Sequence, residues 1–235
     1  MKNEKLLPYI SGLHVLPWVT DGAANFLDGF IFNIKQKYQR NPRIFEFGAG
    51  NSTLYFLSRG CLVTSIEHDK LWAEQVQGVA NIFGYSSQLN LHRLDRPYHE
   101  AFKVDSKQSD LVFIDGRDRV ACLEQVVREC SENAVLVLDN TERMDGKYSA
   151  YTKLLENYQC IHFEQPFVFG SPPTPPESMA GLNLNPMFPS NGLAAGNYRD
   201  RSGNVNKGRS ITTVATHKFR SPLTTQGCEL FTPVC

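Results

Sequence analysis

The stretch Arg43-Ile-Phe-Glu-Phe-Gly-Ala-Gly-Asn-Ser-Thr53 decides the fold of this chain. It begins with an apolar run typical of a buried strand and continues through a Gly-x-Gly turn. It ends in Ser52 and Thr53, either of which can cap the helix predicted to follow. Because a strand, a glycine turn and a helix N-terminus let the backbone approach a ligand closely, the stretch predicts a nucleoside-bearing ligand.

A second predicted strand, from Cys61 to Ile66, supports the same interpretation. It ends in Glu67-His68-Asp69, about twenty residues beyond the glycine turn. In nucleoside-binding α/β folds, an acid at the end of the neighbouring strand accepts hydrogen bonds from the ribose hydroxyls. We therefore predict that Glu67 binds a ribose.

Composition excludes several classes of function. The chain has 235 residues, 41% of them hydrophobic and 20% charged, and 24 Lys plus Arg balance 24 Asp plus Glu. A net charge of zero argues against a broad basic surface for nucleic acid and against a polybasic membrane anchor. No apolar run reaches the ~18 residues of a membrane span, and residues 1–8 do not resemble a signal peptide. We expect a soluble, cytoplasmic protein.

Helical and strand patterns alternate along most of the chain. Helices are predicted at 21–39, 52–58, 70–83, 120–130 and 148–158. Strands are predicted at 43–47, 62–66, 88–94, 110–115, 134–139, 161–163 and 211–217. This alternation is typical of an α/β doubly wound sheet, here in a single domain of residues 1–235 with an N-terminal helical segment at 1–42.

Acidic residues lie at the ends of four predicted strands. They are Glu46, Glu67, Asp115 and Asp139. Ligands of open α/β sheets bind at the carboxyl edge of the strands, so these acids predict a site there. Helix capping alone could explain one or two of them.

A Pro/Gly/Asn-rich segment at residues 165–210 interrupts the alternation. Long irregular connections in compact domains are usually functional loops or disordered segments. The segment is therefore predicted as a substrate lid, with Tyr198, Arg199 and Arg201 as recognition groups. A disordered excursion or a homodimer contact is the alternative.

The turn departs from the dinucleotide fingerprint. Gly-x-Gly-x-x-Gly requires a third glycine for close packing of helix and strand, and Thr53 occupies that position. This disfavours an NAD-dependent oxidoreductase, which remains the third alternative.

The chain resembles class I S-adenosylmethionine-dependent methyltransferases over roughly residues 14–165. The order and spacing of several motifs carry this resemblance. They are Pro17-Trp18-Val-Thr20, Glu46-x-Gly-x-Gly-x-Ser-Thr53, Ser65-Ile-Glu-His-Asp69, Phe113-Ile-Asp-Gly-Arg117 and Leu138-Asp-Asn-Thr-Glu-Arg143. The resemblance implies a seven-stranded, Rossmann-like sheet whose antiparallel last strand lies beside the sixth, and residues 211–217 would be that strand.

The resemblance also implies which residues bind the methionine part of the cofactor. Glu46, Gly48 and Gly50 would line it. Ser52 and Thr53 would contact its carboxylate or cap the helix. The alternative for Glu46 is a buried acid bonded to backbone amides.

The rest of the cofactor is assigned in the same way. Glu67 would bind the ribose hydroxyls, because a carboxylate accepts two hydrogen bonds at once. His68 and Leu94-Asp95 would flank the adenine, and Asp115 would face the methionine ammonium or the substrate. Trp18 would cover the cofactor or the acceptor, or else belong to the core.

Asp115, Asp139 and Asn140 resemble the metal-binding trio of catechol-type O-methyltransferases. Three oxygen ligands suit Mg²⁺, which would hold and acidify an acceptor hydroxyl. The chain departs from that pattern at Asp118, where the family has a lysine, and only Arg117 and Arg119 lie nearby. Without a metal, Asp115, Asp139 or a histidine is the candidate base.

The sequence therefore predicts a methyltransferase that uses S-adenosylmethionine on a small-molecule acceptor, with O-methylation favoured and nitrogen left open. No Asn-Pro-Pro-Tyr-type motif follows the fourth strand, which disfavours nucleic-acid substrates. A catalytically silent nucleoside-binding or partner-binding module on the same fold is the alternative.

Overall fold

The computed structural model describes residues 17, 19–103, 106, 108–141, 148–166, 198–199, 205–206 and 209–217. Its α-helices are α1 (Asp21–Tyr38), α2 (Asn51–Ser58), α3 (Lys70–Ile82), α4 (Arg119–Glu129) and α5 (Tyr148–Leu154). Its strands are β1 (Arg43–Phe47), β2 (Leu62–Glu67), β3 (Leu89–Arg93), β4 (Leu111–Ile114), β5 (Val135–Leu138), β6 (Tyr158–Pro166), β7 (Tyr198–Arg199), β8 (Val205–Asn206) and β9 (Arg209–His217).

Seven of these strands form one sheet in the order β3-β2-β1-β4-β5-β9-β6. The first five are parallel, and β9 runs antiparallel to both β5 and β6. This confirms the predicted doubly wound sheet and the antiparallel last strand inserted beside the sixth. All residues of β4 and β5 are buried, as expected for central parallel strands covered on both faces.

Alternating side chains divide the core between the two faces of the sheet. On one face, Ile44 and Phe113 pack with residues of α1, α2 and α3. On the other, Phe45 and Leu138 pack with α4, α5 and the buried Tyr98. The sheet is therefore held rigid from both sides, and its carboxyl edge can position side chains.

The predicted and observed elements differ most around α5. The sequence predicts a helix through Tyr158, but α5 ends at Leu154 and Tyr158 begins β6. The reason is strand pairing, because β6 pairs with β9 from Tyr158 opposite His217 to Pro166 opposite Arg209. This nine-residue ladder outweighs the local helical pattern.

The predicted lid at residues 165–210 lies mostly outside the described residues. Within it, β7 and β8 pair as a two-stranded antiparallel ribbon, and the sheet strands β6 and β9 extend into its two ends. Only the backbone of Tyr198 and Arg199 is described, and Arg201 is outside the described part, as is Trp18. Among the described residues, no helix combines the length and apolar character that a membrane span requires.

Candidate functional site

The four predicted acids lie on one edge of the sheet. Glu46 is near the end of β1 and Glu67 is the last residue of β2. Asp115 and Asp139 directly follow β4 and β5. Because these four strands are parallel neighbours in the sheet, their carboxyl ends come together at this edge. The structure thus brings the predicted acids to the place where such folds bind ligands.

Glu46 is fully buried and is held by hydroxyl groups. Ser52 Oγ donates to its Oε1, while Thr53 Oγ1 and Ser65 Oγ donate to its Oε2 at 2.5 and 2.7 Å. The donors are side-chain hydroxyls rather than the backbone amides of the alternative interpretation. They come from α2 and β2, so this carboxylate ties the start of the helix to two strands.

The protonation of Glu46 is shifted by its surroundings. Burial raises the pKa of this carboxyl to about 7, and the three hydroxyl donors only partly oppose the shift. Thr53 Oγ1 also accepts the Gly50 N–H at 2.9 Å. Thr53 therefore caps the turn from inside the helix, which begins at Asn51.

The two glycines of the turn differ in whether the structure would tolerate a side chain at their positions. Gly48 has φ +97°, and a Cβ there would lie 2.6 Å from the Cα of Gly116. Gly50 is extended, and its nearest obstacle would be the Trp72 ring at 3.7 Å. Gly48 is thus required by the contact between the loops that follow β1 and β4, whereas a Cβ at Gly50 would make only ordinary van der Waals contact.

Glu67 is buried and is oriented by the backbone that follows it. Its Oε1 accepts the N–H groups of His68 and Asp69 at 2.7 and 2.8 Å, and His68 Nδ1 lies 2.7 Å from the same oxygen. Among the described residues no donor is found on Oε2. The carboxylate is therefore fixed in direction and keeps one oxygen for a ligand.

The two residues predicted to flank the adenine, His68 and Asp95, are more exposed than Glu46 and Glu67. The His68 ring, 33% exposed, packs beside Tyr98 with 6.0 Å between ring centroids. Asp95 is 78% exposed and pairs with Arg93 at 2.5 Å. Both residues follow strand ends at this edge, since the N–H of Leu94 bonds the carbonyl of Glu67, but the Asp95 carboxylate is taken up by Arg93, and the roles of both residues stay predictions.

Asp115 is paired with Arg119, the first residue of α4. The Arg119 Nη2 donates to Oδ1 and to the main-chain oxygen of Asp115 at 2.7 and 2.8 Å, and lies 3.5 Å from Asn140 Oδ1. Burial acts to lower the pKa of this guanidinium, but the carboxylates of Asp115 and Asp139 hold it above its ordinary value. Asp115 thus has a fixed cation beside it.

Asp139 is buried and bonded to β9. Thr212 Oγ1 donates to its Oδ1 at 2.8 Å and in turn accepts the N–H of Thr20 at 3.2 Å. Burial, and then the nearby Asp115 carboxylate, raise the pKa of Asp139 well above its ordinary value. This acid therefore belongs to a chain of hydrogen bonds that joins β5, β9 and the start of α1.

Comparison with known proteins gives matches at the level of structure. No family model and no curated protein matches the chain. Similar solved structures include an O-methyltransferase from Bacillus cereus in complex with SAH, at 14% identity over 92% of this chain and 90% of that chain, with a TM-score of 0.54. A SAM-dependent O-methyltransferase from Thermotoga maritima has 13% identity over 94% and 72%, with a TM-score of 0.55. An O-methyltransferase from Streptomyces achromogenes, involved in tomaymycin synthesis and in complex with SAM, has 14% identity over 81% and 79%, with a TM-score of 0.51.

The chain has the fold of the class I S-adenosylmethionine-dependent methyltransferases. Its sheet order and antiparallel β9 are those that the resemblance implies. At identities this low the shared feature is the fold, and the chemistry must be argued from the residues.

The predicted magnesium ligands do not fit a divalent ion on this methyltransferase fold. Asp115 and Asn140 face the Arg119 guanidinium, and Asp139 accepts from Thr212. The existing hydrogen bonds of these three residues, and the positive charge among them, therefore oppose a divalent ion here.

One residue that completes this edge, Tyr98, was missed in the sequence. Tyr98 is buried, stacks on Phe47, and bonds both the N–H and the carbonyl of Arg117, at 2.5 and 2.9 Å. It thereby holds the loop after β4. Tyr98 follows an irregular stretch with no periodic pattern, so only its contacts across the fold show this role.

We predict that Glu46→Gln flattens the dependence of stability on pH. The ordinary pKa of 4.5 is raised to about 7 in the folded chain, so the unfolded chain ionises first as pH rises. Between pH 4.5 and pH 7 the free energy of unfolding of the wild type should fall by on the order of 3 kcal/mol. The variant should lack this fall, because glutamine mimics the protonated acid and does not titrate. Chemical denaturation across a pH series measures the difference. Asp95→Asn, at an exposed acid, is the control, and equal slopes for Glu46→Gln and wild type would contradict the prediction.

We predict that Gly48→Ala costs more stability than Gly84→Ala. Both glycines have positive φ, at +97° and +76°, but only at Gly48 does a Cβ meet backbone, since nothing lies within 4 Å at Gly84. Gly84→Ala should cost about 1–2 kcal/mol from conformation alone, and Gly48→Ala about 1–3 kcal/mol more from overpacking. Thermal and denaturant unfolding compare the two, and equal losses would show that the contact with Gly116 is unimportant.

Proposed function

We propose that the chain is an S-adenosylmethionine-dependent methyltransferase that acts on an oxygen of a small-molecule acceptor. The observation that carries the proposal is the Glu67 carboxylate at the end of β2, fixed by two backbone amides and beside the glycine turn of β1. Three structural neighbours named as O-methyltransferases support it, two of them solved with SAM or SAH.

The residues at the edge of the sheet fit such a cofactor. A ribose diol needs an acceptor of fixed direction, which the Glu67 Oε2 supplies. At the first turn of α2, next to the glycine turn, Asn51 Oδ1 is buried and has no partner among the described residues. A donor such as the amino group of the methionine part would satisfy it. The bound cofactor would supply the activated methyl group.

The chain itself has to align the acceptor with that methyl group. Methyl transfer is an in-line displacement, so positioning supplies much of the acceleration. Asp115, Arg119 and Asn140 form a polar group at the ends of β4 and β5, next to the proposed cofactor edge. We assign the acceptor oxygen to this side. The balanced charge of the chain supports a small molecule rather than nucleic acid as acceptor.

Titration calorimetry with S-adenosylmethionine, S-adenosylhomocysteine and NAD tests the proposed cofactor. We expect both sulfur nucleosides to bind and NAD to bind more weakly or not at all. Failure to bind either sulfur nucleoside would overturn the proposed function, and tight binding of NAD alone would favour an oxidoreductase.

We predict that Glu67→Ala weakens S-adenosylmethionine binding by about 1–3 kcal/mol, because the ribose hydroxyls lose their acceptor. Glu74→Ala is the matched control, since this exposed acid of α3 pairs with Lys70 and has no assigned role in cofactor binding. Calorimetry of both variants, with unfolding curves to verify the fold, measures the effect. Equal affinity for wild type and Glu67→Ala would remove Glu67 from the site.

A catalytically silent module on the same fold is the second candidate. It is favoured because both candidate bases already accept hydrogen bonds from the protein, Asp115 from Arg119 and Asp139 from Thr212. Transfer of a labelled methyl group from S-adenosylmethionine to a small-molecule extract separates the two candidates. Binding without transfer to any acceptor would favour the silent module.

A further inference from the structure

Arg119 lies where the predicted magnesium ligands converge. A single nitrogen, Nη2, is 2.7 Å from Asp115 Oδ1 and 3.5 Å from Asn140 Oδ1. The side chain is only 22% exposed, and its Nε is buried without a partner among the described residues. The guanidinium is therefore a built part of this cluster rather than a solvated surface charge.

The start of α4 explains why arginine reaches this position. Asp118 precedes the helix with φ +53°, and its carboxylate pairs with Arg96 on the outside of the loop. The chain therefore turns the residue at the family's lysine position away from the cluster. Arg119, one residue later, is directed back to Asp115 at the end of β4.

A divalent ion and this guanidinium compete for the same oxygens. Mg²⁺ needs its oxygen ligands at about 2.1 Å in near-octahedral geometry. Binding between Asp115 and Asn140 would place it against a guanidinium that does not deprotonate in proteins. Asp139 could also ligate the ion, but its Oδ1 would then have to give up or share the hydrogen bond from Thr212. Both repulsion and the loss of existing bonds oppose the metal.

We propose that Arg119 takes the place of the divalent cation, so that methyl transfer by this chain is independent of metal. The guanidinium neutralises Asp115, lies beside Asn140 and puts a positive charge on the side of the site to which we assign the acceptor. The statement about methyl transfer rests on the proposed function. The exclusion of metal by Arg119 can be measured without catalysis.

Mn²⁺ titration followed by electron paramagnetic resonance tests the proposal on the full chain. Wild type is compared with Arg119→Met, Arg119→Lys, Asp139→Asn, and Arg119→Met with Asp139→Asn, and Arg117→Met is the matched control. Methionine keeps much of the arginine stem without its charge, and Arg117 is an exposed arginine in the same loop. Unfolding curves establish that each variant is folded.

We expect wild type and Arg117→Met to bind Mn²⁺ only weakly, in the millimolar range or above. Arg119→Met should bind one Mn²⁺ at least about tenfold more tightly, because it frees the oxygens of the cluster, and Asp139→Asn should reverse the gain. Arg119→Lys, which keeps a cation, should still bind weakly.

Two results would overturn the proposal. One is tight binding of a single Mn²⁺ to wild type that Asp139→Asn abolishes, which decides the question even if Arg119→Met fails to fold. The other is a folded Arg119→Met that gains no affinity. Calorimetry with S-adenosylmethionine on the same samples measures cofactor binding separately from Mn²⁺ binding. A failure of the proposed function can therefore be told apart from a failure of the proposal for Arg119.

Discussion

The buried carboxylate of Glu46 is the constraint on which the rest of the site depends. Taking a carboxylate out of water is costly unless donors replace the lost solvent, and Ser52, Thr53 and Ser65 provide them. Since these donors lie on α2 and β2, the same bonds set the position of the first helix turn and of the neighbouring strand. The glycine turn between them is thereby held open at the edge of the sheet.

Each of the other acids at this edge is stabilised by a different kind of group. Glu67 is held by backbone amides, which use one of its two oxygens. Asp115 is held by the guanidinium of Arg119, and Asp139 by a threonine hydroxyl of β9. Four similar residues at similar places therefore have different chemistry. Among them, Glu67 is the acid best placed to receive a neutral polar ligand, and Asp115 is the one coupled to a cation.

The sequence predicted the fold well because its signals are local and repeated. Apolar runs such as Val135–Leu138 are long enough to specify buried strands, and a glycine turn before a capped helix has few structural solutions. Local signals were insufficient at Tyr158, where pairing with His217 in a distant strand outweighs a helical pattern. They were also insufficient for Arg119, which the sequence could describe equally well as solvated.

The sequence by itself determined the alternation of strands and helices, the glycine turn, and the arrival of four acids at strand ends. These follow from periodicity, which depends only on neighbours along the chain. Only the tertiary structure decided which groups stabilise each acid. The partners of Glu46, Asp115 and Asp139 are set by which side chains the sheet and the helix starts bring within hydrogen-bond distance. Burial then makes those contacts decisive, because charge inside a protein must be compensated where it lies.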